Sequence, residues 1–254
     1  ALGWWVYSCV MQEGDKARNW RSRWRQIWVG AVWMACLFHW TSYLLRWYIG
    51  GRIPLGNGHE TMLFLAGFLL LCTCIWQRRF SFLLPAGLLL SGFTLLVAYL
   101  SEMNPQITPL MPVLLSPWLS LHVSLIMVSY ALFALMCLCS ILALSIRRHA
   151  WQRQRLTLFC RVLLYPAVLC LGIGIFIGAV WANVSWGSYW AWDPKEVWAL
   201  ITFMLYGMAF HVQSIPRFRN PYFFHWFLIV SFSAILMTYF GVNYVLGGMH
   251  SYAG

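Results

Sequence analysis

Charge is scarce in this chain. Asp, Glu, Lys and Arg make up 9% of its 254 residues, and only six residues are acidic. No stretch has the polar face that a soluble domain turns to water, so the chain is read as a single transmembrane domain, 1–254. C-x-x-C pairs are also absent although there are eight cysteines, which argues against a thioredoxin-type centre and against a zinc site. Cys72/Cys74 and Cys137/Cys139 are spaced i, i+2. On a helix such pairs diverge, as lipid-facing or packing residues do. There is no internal repeat and no low-complexity segment. The opening run from Ala1 to Met11 lacks the basic flank, apolar run and small-residue cleavage site of a secretory signal. It is also too short to span a bilayer unless chain precedes it, and a start at Ala1 fits a trimmed or longer parent polypeptide.

What the chain does have is apolar sequence, 61% of it, in repeated runs near the ~20 residues that a spanning helix requires. An all-α, polytopic helical membrane protein follows. About seven complete spans are predicted, over 26–49, 60–76, 80–100, 117–146, 157–182, 194–215 and 222–240, with a partial one before them. The formal charge of +11 would suggest nucleic acid in a soluble protein, but its distribution removes that partner. Lys16, Arg18, Arg21, Arg23 and Arg25 share one connection, Arg78 and Arg79 another. Arg147, Arg148, Arg153 and Arg155 form a third, Arg217 and Arg219 a fourth. The intervening connections carry chiefly Arg52 and Lys195. Under the positive-inside rule the basic loops face the cytoplasm, and the C-terminus lies outside.

One outer connection is unlike the rest. Within 181–198 lies Trp186-Gly187-Ser188-Tyr189-Trp190-Ala191-Trp192-Asp193-Pro194-Lys195-Glu196, too polar for lipid yet with four aromatic rings at Trp186, Tyr189, Trp190 and Trp192. Such a surface suits a large flat ligand, with haem the leading candidate. Asp193 as N-cap, Pro194 at N1 and Glu196 at the capping-box position start a helix whose positive end abuts the rings. Ser116-Pro117 starts another. Gly172, Gly174 and Gly178 allow close helix contact.

Topology sorts the seven histidines. His122 lies ~9 Å into the helix that Ser116 opens, at 1.5 Å per residue, and His250 lies in the outer tail. Both fall on the face of the Trp stretch, where two imidazoles could hold a porphyrin iron between them. Each alone could equally be an interfacial residue with a hydrogen-bond partner. His211 would lie ~25 Å down the Asp193-capped helix, marking either a second haem position or the far headgroup boundary. His39 is mid-span, functional or packed with Trp40. His225 reads as a headgroup residue, His149 as solvated loop, His59 as an exposed turn. Lys195 and Arg52 could meet anionic propionates, or be solvated interface charges.

The Trp186–Glu196 stretch looks like the WWD signature of haem-handling membrane proteins. The whole chain resembles the CcsA (ResC) family of system II cytochrome c maturation. Arg46-Trp47 with Pro54-Leu55, Trp118 to Tyr130, Gly178 to Thr202, His211, and Phe240-Gly241-Val242-Asn243 leading to His250-Ser251-Tyr252 carry the resemblance. It implies a holocytochrome c synthase (haem lyase), with haem b as substrate and ligand, the WWD segment on the outer face of a bacterial inner membrane (or, second, a thylakoid membrane), and His122 and His250 as external axial ligands. It implies that His211 is a transmembrane haem ligand, its partner histidine supplied by CcsB, a separate subunit or fused N-terminal half. The other partner is apocytochrome c with its C-x-x-C-H segment, and a thiol-reducing protein is a third. Trp190, Trp192 and Asp193 complete the implied reaction site with the two external histidines. A haem exporter without bond formation, or a bis-histidine electron-transfer subunit, are the alternatives.

Overall fold

The computed structural model describes residues 18–246 except 79, 81, 102, 108, 110, 111 and 147–149. His250 and His149 lie outside the described residues. Regular structure among those described is entirely helical: α1 Arg18–Gly50, α2 Gly58–Trp76, α3 Leu83–Leu100, α4 Pro117–Ser145, α5 Ala150–Trp186, α6 Pro194–Met208 and α7 Pro221–Leu236. A π-helix, Met237–Leu246, continues α7, and short 3-10 turns occupy Pro112–Leu115 and Pro216–Arg219. Six segments are long and apolar enough to cross a membrane: Trp24–Gly50, Gly58–Trp76, Leu83–Leu100, Pro117–Ser145, Ala150–Trp186 and Pro221–Leu246. Helices suit such a setting because each satisfies its own backbone where no water can.

Two helix boundaries and one cap differ from the sequence prediction. The helix begun at Pro194 ends at Met208, not Ile215, so α6 has 15 residues and is about 22 Å long, short of a ~30 Å hydrocarbon core. Its last turn tightens: the N–H groups of Ala209, Phe210 and His211 donate to the carbonyls three residues back, the usual way a helix end satisfies its carbonyls. Helix α5 starts at Ala150, seven residues before Thr157. Arg153 and Arg155 therefore stand on helix and not in a loop. The guanidiniums of Arg153 and Arg155 lie 4.2 and 4.8 Å from the ring centres of Tyr222 and Trp151, contacts that favour ordering this turn. Ser116 occupies the N-cap position of α4 with extended backbone, but its hydroxyl makes no capping bond.

The described residues of 1–54 and 62–107 form one compact unit, and those of 55–61 and 108–254 a second. In the first unit Val32, Cys36, Leu70, Cys74 and Leu84 form a core. His39 Nε2 bonds to the Leu63 carbonyl at 2.9 Å and Trp40 Nε1 donates to the Gly67 carbonyl at 3.2 Å. Both are helix-to-helix ties, the packing alternative for His39. Arg46 donates to the carbonyls of Pro105 and Gln106 at 2.6 and 3.0 Å.

In the second unit α4 and α5 run antiparallel. His122 meets Gly174, Ser129 meets Ala167 and Met136 meets Cys160 along their length. Helix α7 packs against both, and here His225 departs from its expected headgroup position. It is 0% exposed, with Nε2 2.8 Å from Thr157 Oγ1 and Nδ1 3.0 Å from Ser140 Oγ. Thr157 donates its proton to the Arg153 carbonyl, so its oxygen accepts from Nε2–H. The imidazole thus pins three helices. Truncating it to alanine removes two buried hydrogen bonds and opens a cavity, at a cost of about 2–3 kcal/mol. His225→Ala should lower the unfolding temperature of the detergent-solubilised protein by about 5 °C; an unchanged midpoint would show the pin to be dispensable.

Candidate functional site

Pro117 at N1 starts α4 with its backbone angle already set. One and a half turns later His122 projects toward α5, its Nδ1 2.7 Å from the Gly174 carbonyl. A carbonyl oxygen can only accept, so Nδ1 carries the proton and the ring's lone pair is on Nε2. Gly178, one turn further along α5, leaves the space the ring fills.

The strap from α5 to α6 carries the aromatic rings. Trp181 is 1% exposed and donates to the Val113 carbonyl at 3.3 Å. Trp186, the last residue of α5, packs edge-on against it at 4.7 Å. Gly187 then turns the chain out of the helix with φ +78°, a left-handed conformation that glycine adopts at no steric cost. Tyr189 and Trp192 are 60% and 71% exposed, whereas Trp190 is half-buried and meets the Trp192 ring edge-on at 5.9 Å. Trp192 itself has φ +58°, a costly conformation for a bulky residue. The capping box holds it there. Asp193 Oδ2 accepts from Lys195 N at 3.1 Å, while Glu196 Oε2 accepts from Asp193 N at 3.1 Å and Ala191 N at 2.9 Å. Asp193, 5% exposed, is therefore the cap of α6.

These elements enclose a cleft with about 1250 Å³ of empty space, its open mouth included. One wall is apolar: Leu119, Val123, Ile126 and Met127 of α4, with Ile175 and Ala179 of α5. The other is polar. Asn57, Thr61, Lys195, Thr238, Tyr239 and Asn243 stand on it, and His122, Tyr189 and Trp190 close the rim. Among the residues expected from sequence, His122, Tyr189 and Trp190 share this cleft. Trp186 and Trp192 stand outside its lining, and His211 lies in the turn after α6, exposed to solvent. His59 is half-buried in the first turn of α2, not fully exposed.

Apart from Lys195, the polar wall is the part that sequence reasoning missed. Asn57 Oδ1 accepts from Glu60 N, and Glu60 Oε2 from Gly56 N, both at 2.8 Å. This second cap rigidifies 55–61. Thr61 Oγ1 lies 2.8 Å from the Tyr239 hydroxyl, and Thr238 Oγ1 donates to the Ala234 carbonyl at 2.7 Å. Lys195 Nζ donates to Asn243 Oδ1 at 2.6 Å, and Asn243 Nδ2 donates to the Tyr239 carbonyl at 2.6 Å. The π-helix thus places Tyr239 and Asn243 on the cleft, a frequent use of this wider winding. Burial pushes the Lys195 ammonium down to about 8, against the opposing pull of the Asp193 carboxylate.

No set of three or more His, Cys, Asp or Glu side chains among the described residues could hold a bare metal ion. One imidazole in a cleft lined also by apolar side chains, polar groups and a cation suits an iron already chelated in a porphyrin with acidic side arms. The fold and cleft define a polytopic helical membrane protein with an aromatic strap over a histidine-bearing cleft. The chain belongs to a cytochrome c assembly family: the family described as "Cytochrome C assembly protein" matches residues 55–250. It is 39% identical over 229 residues to Protein NrfI of Wolinella succinogenes, covering 87% of this chain and 25% of that protein. It is 35% identical over 228 residues to the cytochrome c biogenesis protein CcsA of Chlamydomonas reinhardtii, covering 82% and 63%. With CcsA of Prochlorococcus marinus it shares 32% over 251 residues, covering 82% and 79%. The chain thus spans a quarter of NrfI and less than two thirds of the algal CcsA.

Proposed function

We propose that the cleft receives haem b as a substrate and presents it for covalent attachment to apocytochrome c, with His122 as one axial ligand. The observation that carries this reading is the His122 ring itself, oriented by the bond from Nδ1 to the Gly174 carbonyl, in a cleft that Trp190 and Tyr189 also line. Metal-binding histidines are commonly oriented in this way, by a partner on the other ring nitrogen.

His250 supplies the second axial ligand, and Trp186 and Trp192 shelter the macrocycle as it moves in and out under the strap. His211, at the far end of α6, receives haem from the opposite membrane face with a histidine of a CcsB partner. By the positive-inside rule the strap faces the periplasmic side of a bacterial inner membrane. The two thiols of a C-x-x-C-H segment then add across the two haem vinyl groups. Each addition forms one C–S and one C–H bond, with no net oxidation, and the segment's histidine replaces one of the protein's ligands. The protein's contribution is register, since holding both reactants aligned removes much of the entropic barrier. A thiol-reducing partner keeps the C-x-x-C pair open.

The test is co-expression of this chain with CcsB and a C-x-x-C-H apocytochrome, scored for haem that stays attached after denaturation. Covalent product that depends on this chain is expected. Haem accumulating on the membrane protein with no covalent product would favour a haem exporter instead.

A further inference from the structure

We infer that Gly174 and Gly178 are positioning residues for iron ligation: together they fix which nitrogen of His122 ligates, one through its carbonyl and the other through the space it leaves. This rests on the reading of His122 as an axial ligand and deepens it.

The two glycines are four apart on α5 and so lie one above the other on a single face. Their roles differ. A Cβ built on Gly178 would lie 2.6 Å from both Cε1 and Nδ1 of His122 and 3.3 Å from its Cγ. Those atoms are the body of a rigid ring held close to its own helix, so the ring would have to turn or withdraw. Nδ1 is also the atom bonded to the Gly174 carbonyl at 2.7 Å, and any such movement breaks that bond. A Cβ on Gly174 meets instead Cδ1 of Ile126 at 2.8 Å, the end of a flexible side chain that can move aside. The Gly174 carbonyl has two lone pairs, enough for its own helical bond and for the imidazole.

The bond selects the tautomer. With the proton on Nδ1, the lone pair on Nε2 points away from α5, and the ring is fixed before any iron arrives. A methyl group at 178 removes this bias by displacing the ring, with His122 itself left unsubstituted. The loss of such an outer partner typically weakens metal binding about 10–100-fold.

The test has a part that needs no haem. In the haem-free, detergent-solubilised full chain, labelled with nitrogen-15 at histidine, the His122 signals are identified by their absence in His122→Ala. They should report an Nδ1–H tautomer. An Nε2–H tautomer in the wild-type protein overturns the inference whatever the variants do. Gly178→Ala should shift those signals toward a tautomer mixture, weaken hemin binding about tenfold and change the absorption spectrum of the bound hemin. Gly207→Ala, with nothing within 4 Å of the new Cβ, should leave tautomer and spectrum unchanged. Wild-type hemin affinity and spectrum in Gly178→Ala, while His122→Ala loses both, would defeat this inference alone. Unchanged hemin binding in His122→Ala would instead defeat the ligand assignment on which it rests.

Discussion

His122→Ala should lower hemin affinity at the cleft by at least about a hundredfold, or about 2.7 kcal/mol, and abolish covalent product in the co-expression assay. The substitution removes the one imidazole on the rim of the cleft among the described residues and installs the best helix former at a helical position. Helix α4 should therefore survive. The expected signature is specific: hemin retained weakly, with the spectrum of an iron that has lost a nitrogen ligand, on a protein whose unfolding temperature is little changed. Two controls separate chemistry from folding. His225→Ala removes an imidazole that is fully buried between Ser140 and Thr157, so it should cost stability and leave the hemin spectrum intact. Gly207→Ala should change neither. If His122→Ala keeps wild-type spectrum and product yield, His122 is not an axial ligand.

How far the sequence alone reached follows from the range of each interaction. The Asp193-Pro194-Lys195-Glu196 cap was fully legible, because its bonds join residues at most five apart. So was the helical, membrane-spanning character, which is written in the length of apolar runs. Ser116 shows the limit even of local rules: its position is that of a cap, yet its hydroxyl makes no capping bond. His225 was misplaced because the hydroxyls that bury it come from 85 and 68 residues away. Read in isolation, a histidine just beyond Arg219 and Pro221 resembles an interfacial residue. The early end of α6 was equally hidden, since the apolar run continues past Met208 while the hydrogen bonding has already tightened. The polar wall of the cleft depends on the winding of the π-helix, for which Thr238, Tyr239 and Asn243 carry no local signal. Gly178 had a signal, but one that could be read only as helix packing until the ring of His122 was seen against it.

The Lys195 position should make ligand affinity depend on pH, with a sign opposite to its effect on the empty protein. Its ammonium is pushed down to about 8 by burial. The groups around it are Asp193 beside it, Glu196 committed to the amides of Ala191 and Asp193, and the neutral Asn243 and Tyr239 of the π-helix. His122 of α4 lines the same cleft. Below pH 8 the ammonium is charged and attracts an anionic side arm of the ligand. Above 8 it is neutral and the attraction is lost, so hemin affinity should fall as pH rises from 7 to 9. For the empty protein the balance reverses. Between about 8 and the ordinary lysine value near 10.4, the unfolded chain holds a proton that the folded one has released, so stability rises with pH across that window. Lys195→Met should weaken hemin by about tenfold at pH 7 and flatten both pH dependences. Lys195→Glu, which sets a third carboxylate beside Asp193 and Glu196, should weaken it about a hundredfold, since like charges at short range in a half-buried site repel strongly. The dimethyl ester of hemin, which lacks the anionic arms, should bind the wild-type protein without the fall between pH 7 and 9. If the ester falls as steeply as hemin, Lys195 does not meet the propionates.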